Sequence, residues 1–207
     1  MTKTKIGILI CMTLSLNSAG VQAQKGVEHF NISLFCNTDS LKGANLSILT
    51  NAIKKDMQGV QISALNNFAT KGNGIQIGML SNASTSTFKG IQLAGISNVS
   101  MGMKRGIQLA GAANICSSSM RGIQTAVYNY ADTLNGSQIG LFNACISHPR
   151  GVQIGIINYS RDTVAHKIGL VNVNPKTRID LLSYIGTSTK LNMALRFRNR
   201  STYNIIG

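Results

Sequence analysis

The chain has 207 residues, 43% of them hydrophobic, with 5% aromatic and no Trp. That mixture excludes global disorder and suits short strands and turns better than long amphipathic helices. Twenty Lys and Arg against six Asp and Glu give a formal charge of +14, which leaves little material for paired-carboxylate chemistry and favours an anionic neighbour.

The first 23 residues have the pattern of an export signal. Lys3 and Lys5 make a positive start, and Ile6 to Leu16 form an apolar run of eleven residues, too short to cross a bilayer as a helix. Val21-Gln22-Ala23 then offers a cleavage site. Cleavage is expected after Ala23, with Gln24 as the first mature residue. Cys11 lies inside the apolar run rather than at its end, so no lipid attachment is expected.

Residues 24–174 are a run of short repeats. Gly59, Gly74, Gly90, Gly106, Gly122, Gly136 and Gly151 each open a Gly-Ile-Gln-Ile-like unit, with a weaker copy at Gly43 and degenerate copies at Phe30 and Ala165. The ten starts are 13 to 16 residues apart. Each copy closes on an Asn: Asn37, Asn51, Asn67, Asn82, Asn98, Asn114, Asn129, Asn143, Asn158 and Asn172. The Asn comes eight residues after the start in the copies from 43 to 106 and seven after it in those at 30 and from 122 onward. A β-bulge in the strand segment is the expected way to hold the extra residue.

Alternation predicts a strand. Positions one and three after the Gly are mostly aliphatic and position two is Gln, so the two types fall on opposite faces. Position four is small, as in Gly78, Ala94, Ala110 and Gly140, which permits close approach of another segment. The Gly and the Asn are both read as turn residues tolerant of left-handed backbone angles. A unit this short cannot bury an apolar face alone, whereas stacked copies can. The expected fold is therefore all-β, a β-solenoid or β-roll of about ten repeats, with one strong parallel sheet and one ragged side. The ragged side carries an apolar residue two before the Gly, as in Leu41, Met57, Phe88, Met120, Leu134 and Val164. A membrane barrel with one strand per repeat is the rival arrangement. The repeats lack its long alternation and aromatic girdles.

The repeat stops at Asn174-Pro175, and residues 175–207 differ. Leu191, Met193, Leu195 and Phe197 alternate with Asn192, Ala194, Arg196 and Arg198. The run from Arg178 to Ile185 is placed to pair with them across Gly186–Lys190, and a third run carries Tyr203 and Ile205. Such alternation is what a short antiparallel, outer-membrane-barrel-like segment looks like. Two expectations stand side by side: the opening strands of a barrel in a longer protein, here cut short, or a hairpin capping the solenoid.

The Gly-Ile-Gln-Ile-Gly-x-x-Asn unit, clearest at Gly74–Asn82, Gly136–Asn143 and Gly151–Asn158, resembles the bacterial surface-repeat proteins built from Gly-Leu-Gln-Leu-Gly-Leu-x-Asn units. The resemblance covers about residues 30–174 and implies an exported envelope protein. A more distant likeness is to the β-roll heads of trimeric autotransporter adhesins, although their heptad stalk is missing here.

Several columns are candidate sites. Gln61, Gln76, Gln92, Gln108, Gln124, Gln138 and Gln153 stack into either a glycan-binding face or a structural amide ladder, and the ladder is the reading adopted. The residue before the Gly is basic at Lys42, Lys89, Arg105, Arg121 and Arg150. This column is the best candidate for an anion-binding stripe, against a plain solvated turn. Cys116 and Cys145 sit in copies separated by one other, roughly 10 Å apart and beyond the reach of a disulfide, so free buried thiols are expected. His29, His148 and His166 share no metal-like spacing with cysteines or acids, and no nucleophile motif is present. Neither enzyme activity nor a cofactor is expected. Asp39-Ser-Leu, Asp132-Thr-Leu and Asp162-Thr-Val resemble a short O-glycosylation acceptor at Ser40, Thr133 and Thr163. The expected partner is the bacterial outer membrane, or an anionic glycan or lipid of the envelope, met at the outer membrane, the cell surface or in the periplasm. Nucleic acid fits poorly, because export removes the chain from it and few aromatics interleave with the cations.

Overall fold

A computed structural model describes residues 24–161, 166–184, 192–198 and 203–206. The predicted export signal and Cys11 lie outside the described residues, as do Thr163 and Val164.

The molecule is a parallel β-solenoid of about eight turns, followed by a small antiparallel sheet. Ten strands make the solenoid: β1 (Gln24–Ser63), β2 (Asn66–Gly78), β3 (Ser81–Ala94), β4 (Ser97–Ala110), β5 (Ala113–Thr125), β6 (Tyr128–Ile139), β7 (Phe142–Ile154), β8 (Ile157–Ser160), β9 (His166–Ile168) and β10 (Val171–Val173). They stack in the order β1-β2-β3-β4-β5-β6-β7-β8-β10, with β9 on β7. Among the described residues, the last copy, which lacks its Gly, supplies the two three-residue strands β9 and β10.

Stacking is in register through the motif. Gly59 pairs with Gly74, Gly74 with Gly90, and Gly90 with Gly106, with the Gln and Asn columns alongside. The Gly column turns the first corner of each coil. Gly74 and Gly90 have φ of 140° and 126°, and a Cβ on Gly90 would collide with the carbonyl oxygen of Gly74. No other residue satisfies both the positive φ and the close approach.

Three expectations need correction. First, the aliphatic face of the motif, expected to be buried by stacking, points outward, and the interior on this side is the Gln column. Gln61, Gln76, Gln92, Gln108, Gln124, Gln138 and Gln153 are all fully buried. Second, the Asn residues are not at a left-handed turn. Positive φ among the described residues falls on glycines, and Asn82, Asn98, Asn114, Asn129 and Asn143 sit near the start of a strand with their side chains buried. Third, the extra residue of the middle copies is not a bulge in the strand. Leu109 pairs with Thr125 and Ala113 with Tyr128, so Ala110, Gly111 and Ala112 oppose only Ala126 and Val127 at the corner between. The bulges fall on the other side, between Asn and the next Gly, as at Ala69/Gly72 and Cys116/Ser119. That side is where the sequence spacing is least regular.

The interior has two ends. At one, the amide columns fill the space. At the other, Leu41, Met57, Phe88, Met103, Met120 and Leu134 form an apolar column, joined by Ile53, Ala69, Cys116, Ala131 and Cys145. The side expected to be ragged therefore supplies the hydrophobic core. Phe88, the largest buried side chain, stands opposite Gly72, where a Cβ would overlap its ring. Large on small in successive coils keeps the interior filled without voids.

The antiparallel sheet comprises β11 (Arg178–Tyr184), β12 (Asn192–Arg198) and β13 (Tyr203–Ile206). Ile179 opposes Phe197 and Leu181 opposes Leu195 on one exposed face. On the other, Asp180 receives Arg196 at 2.9 Å and Arg198 at 3.8 Å.

Candidate functional surface

The motif Gly turns the chain, with positive φ at Gly43, Gly90 and Gly122, and the residue just before it projects from the corner into solvent. Lys42, Lys89, Arg105 and Arg121 are all exposed there. The side chain of Arg150 lies outside the described residues, although its backbone pairs with Asn135. Lys89 pairs with Arg105, and the Gly106–Gly122 pairing brings Arg121 to the next coil. Asn135 follows Arg121. Gln58 pairs with Asn73 and Asn73 with Lys89, so these two separate Lys42 from the rest. The five basic residues are thus not one stripe. They are a continuous row of three, Lys89, Arg105 and Arg121, with Lys42 and Arg150 set apart from it.

Coils repeat at about 4.8 Å. Neighbouring like charges at that spacing repel by roughly 0.9 kcal/mol even in water. The acids that could relieve this are engaged elsewhere. Asp39 holds Lys55 at 3.2 Å, Asp56 holds Lys71 at 3.7 Å, Asp180 holds the two arginines of β12, and Asp132 accepts a hydrogen bond from the Tyr130 hydroxyl. Among the described residues, no carboxylate pairs with the row. An open depression lies between its members, lined by Arg105, Gly106, Arg121, Gly122 and Asn135. A phosphate or sulfate oxygen there would meet two guanidinium groups and an amide. Such charge-assisted contacts are the strong kind.

The Gln column presents nothing to a ligand. Gln76 Nε2 donates to Gln61 Oε1 at 2.7 Å, Gln92 to Gln76 at 2.8 Å, Gln108 to Gln92 at 2.8 Å, Gln124 to Gln108 at 2.9 Å, and the row continues through Gln138 to Gln153. The Asn column runs the other way. Asn82 Nδ2 donates to Asn98 Oδ1 and Asn98 to Asn114, both at 2.9 Å. Asn82 also donates to the Leu93 carbonyl of the next coil at 2.6 Å. Small residues at position four make room for this. A Cβ on Gly140 would collide with Asn129 Nδ2, and one on Gly155 with Asn143 Nδ2.

The remaining candidates are scattered. Cys36, Cys116 and Cys145 are buried thiols outside any disulfide. Cys116 pairs with Ala131 and Ala131 with Cys145, so one coil separates the two thiols. Burial pushes the Cys36 thiol up, opposed by the amide of Asn45 and assisted by Glu28, to about 11. His29 Nδ1 lies 3.0 Å from the carbonyl of Lys42, and His166 is exposed. Among the described residues, no group of three or more His, Cys, Asp or Glu is placed to hold a metal ion. Ser40 lies within β1 and Thr133 within β6, each half-buried.

The outward apolar face was missed in the sequence. Ile77, Leu93 and Leu109 stand in register on it, and Leu109, Ile139 and Ile154 are 38%, 40% and 39% exposed. The small residues Gly78, Ala94 and Ala110 floor a shallow trough between this row and the corner at Met79 and Gly95. A signal for it existed. Choosing a Gln ladder already commits the alternating aliphatics to the outside. Comparison with family models, with curated proteins and with solved structures found no match to this chain.

Proposed function

We propose that the chain is a non-enzymatic interaction protein of the bacterial envelope, exported and held at the outer membrane or cell surface, whose solenoid presents a basic row to an anionic envelope glycan or lipid. The observation that carries this is the row Lys89–Arg105–Arg121. It comprises three exposed cations on successive coils, without a carboxylate partner among the described residues, and two of them, Arg105 and Arg121, line an open depression. A rigid scaffold holding like charges together favours any bridging anion. The export pattern at residues 1–23 and the resemblance of the repeat to bacterial surface-repeat proteins support the location.

Binding of the full chain to lipopolysaccharide micelles, measured against salt, tests the reading. Replacing Lys89, Arg105 and Arg121 together with Gln is expected to weaken binding about 100-fold, at roughly 1 kcal/mol per cation near an anionic surface. The salt dependence should flatten as well. Unchanged binding, or binding insensitive to salt in the native chain, would remove the basic row as the contact. Cell fractionation tests the location, which predicts an envelope fraction rather than cytosol.

A further inference from the structure

We propose that the solenoid lies with its Gly-Ile-Gln-Ile side on an anionic lipid surface. The outward aliphatic rows rest against the acyl boundary, and Lys89, Arg105 and Arg121 reach the headgroup phosphates. This inference rests on the basic row being an anion contact. It adds the apolar face and the class of partner.

The argument starts from the buried Gln. Because Gln108 is fully buried, strand alternation sends Ile107 and Leu109 outward, and in-register stacking repeats this on every coil. The row at position three runs Ile77, Leu93, Leu109, Thr125, Ile139 and Ile154. With the row at position one, it covers about 30 Å along the axis by about 13 Å across, or roughly 400 Å². The apolar surface continues round the corner at Leu80, Ile96 and Val127, which are 39%, 51% and 44% exposed. This footprint, interrupted only at Thr125 and Ser137, is of the size of the largest apolar patch on a typical monomer, which often serves as a contact. The in-register aliphatic rows run along one side of the coil. The segment between Asn and the next Gly is mixed: Thr85, Ser86, Thr87, Ser117, Ser118 and Ser119 are polar, while Met101 is 50% exposed.

Charge selects the occupant. The basic row sits two residues from the first aliphatic row, so cations rim the apolar face along one edge. Apolar residues rimmed by Lys and Arg suit a surface with acyl chains beneath and phosphates above. A second copy of this chain would bring +14 up to +14 and set basic rims around one shared interface. A lipid surface with phosphate headgroups neutralises the rim and covers the aliphatics together.

The chain has no Trp, so single substitutions report cleanly. Leu93→Trp places an indole on the face, and Ser118→Trp places one on the polar side. The probes are vesicles of phosphatidylcholine with about a quarter phosphatidylglycerol, vesicles of phosphatidylcholine alone, and soluble polyphosphate. On the anionic vesicles, the Leu93→Trp indole is expected to shift to the blue and to be quenched by brominated acyl chains. The Ser118→Trp indole should do neither. Adding Lys89→Gln, Arg105→Gln and Arg121→Gln should lower partition tenfold or more, towards the level on phosphatidylcholine alone. Ile139→Trp, further along the same row, gives the same reading should Leu93→Trp fail to fold.

Salt-sensitive vesicle binding without indole burial would overturn this inference and leave the basic row standing, as would equal affinity for polyphosphate without burial. A blue shift that deepens with protein concentration in the absence of lipid would assign the face to a second copy and overturn it too. No binding to vesicles or polyphosphate would end both readings.

Discussion

Two neighbours on one strand, Gln108 and Leu109, have opposite fates: the amide is fully buried and the aliphatic is 38% exposed. Hydropathy alone predicts the reverse. The difference lies in what stacking does for each side chain. A buried amide is costly only when its donors and acceptors go unpaired. In-register coils give each Gln from Gln76 to Gln138 an identical partner on either side, so Gln108 donates to Gln92 and accepts from Gln124. It also donates to Ser100 Oγ at 3.0 Å. The repeat therefore chooses its inside by which column can satisfy itself, and the aliphatics take the other face.

Breaking the inner member should produce the larger effect. Gln108→Met is close in shape and more apolar, yet it takes the donor from Gln92 Oε1 and one partner from Ser100. It is expected to destabilise by about 2–4 kcal/mol, the cost of interior polar atoms left unpaired, as read from urea unfolding. A neutral or stabilising result would mean that packing volume, not the ladder, sets the inside. The outer member should respond far less. Leu109→Ser is expected to change stability by less than about 1 kcal/mol in the same assay, since little is buried there. A large loss would show that the aliphatic rows are covered in the native protein even in the absence of lipid.

A smaller contrast concerns pH. Cys36 is buried beside Glu28, and its thiol is raised from 9.0 to about 11. Above pH 9 the unfolded chain releases this proton while the folded chain keeps it. Stability from this group is therefore fully present below about pH 9 and is lost as pH rises through about 11. Cys36→Ser should flatten that part of the stability profile, measured by thermal unfolding between those two pH values.

Periodicity made the stacking legible, because Gly, Gln and Asn recur at a spacing only a coil can use. The three-residue basic row was legible as a column, but Gln58, Asn73 and Asn135 break the wider stripe once strands are put in register. What the sequence hid was direction. Alternation separates two faces without saying which one closes, and that choice depends on amide–amide bonds between coils, not on any single repeat. Phe88 against Gly72 was hidden for the same reason. Their fit exists only between coils whose loop side is irregular in sequence. The corner position of the extra residue needed the pairing of Leu109 with Thr125 to be seen.

The opposed amide rows also bear on how such a chain can change over generations. Along the Gln column each amide donates towards the N-terminus, and along the Asn column towards the C-terminus. Inserting or deleting one whole coil leaves every remaining amide with the same kind of neighbour, and the two rows of dipoles still oppose each other. The solenoid can therefore lengthen or shorten by complete units without redesign of its interior. Under the proposed anion contact, each added unit that carries a cation before its Gly would extend the basic row by one more site, so duplication would tune avidity for a repeating anionic surface in discrete steps.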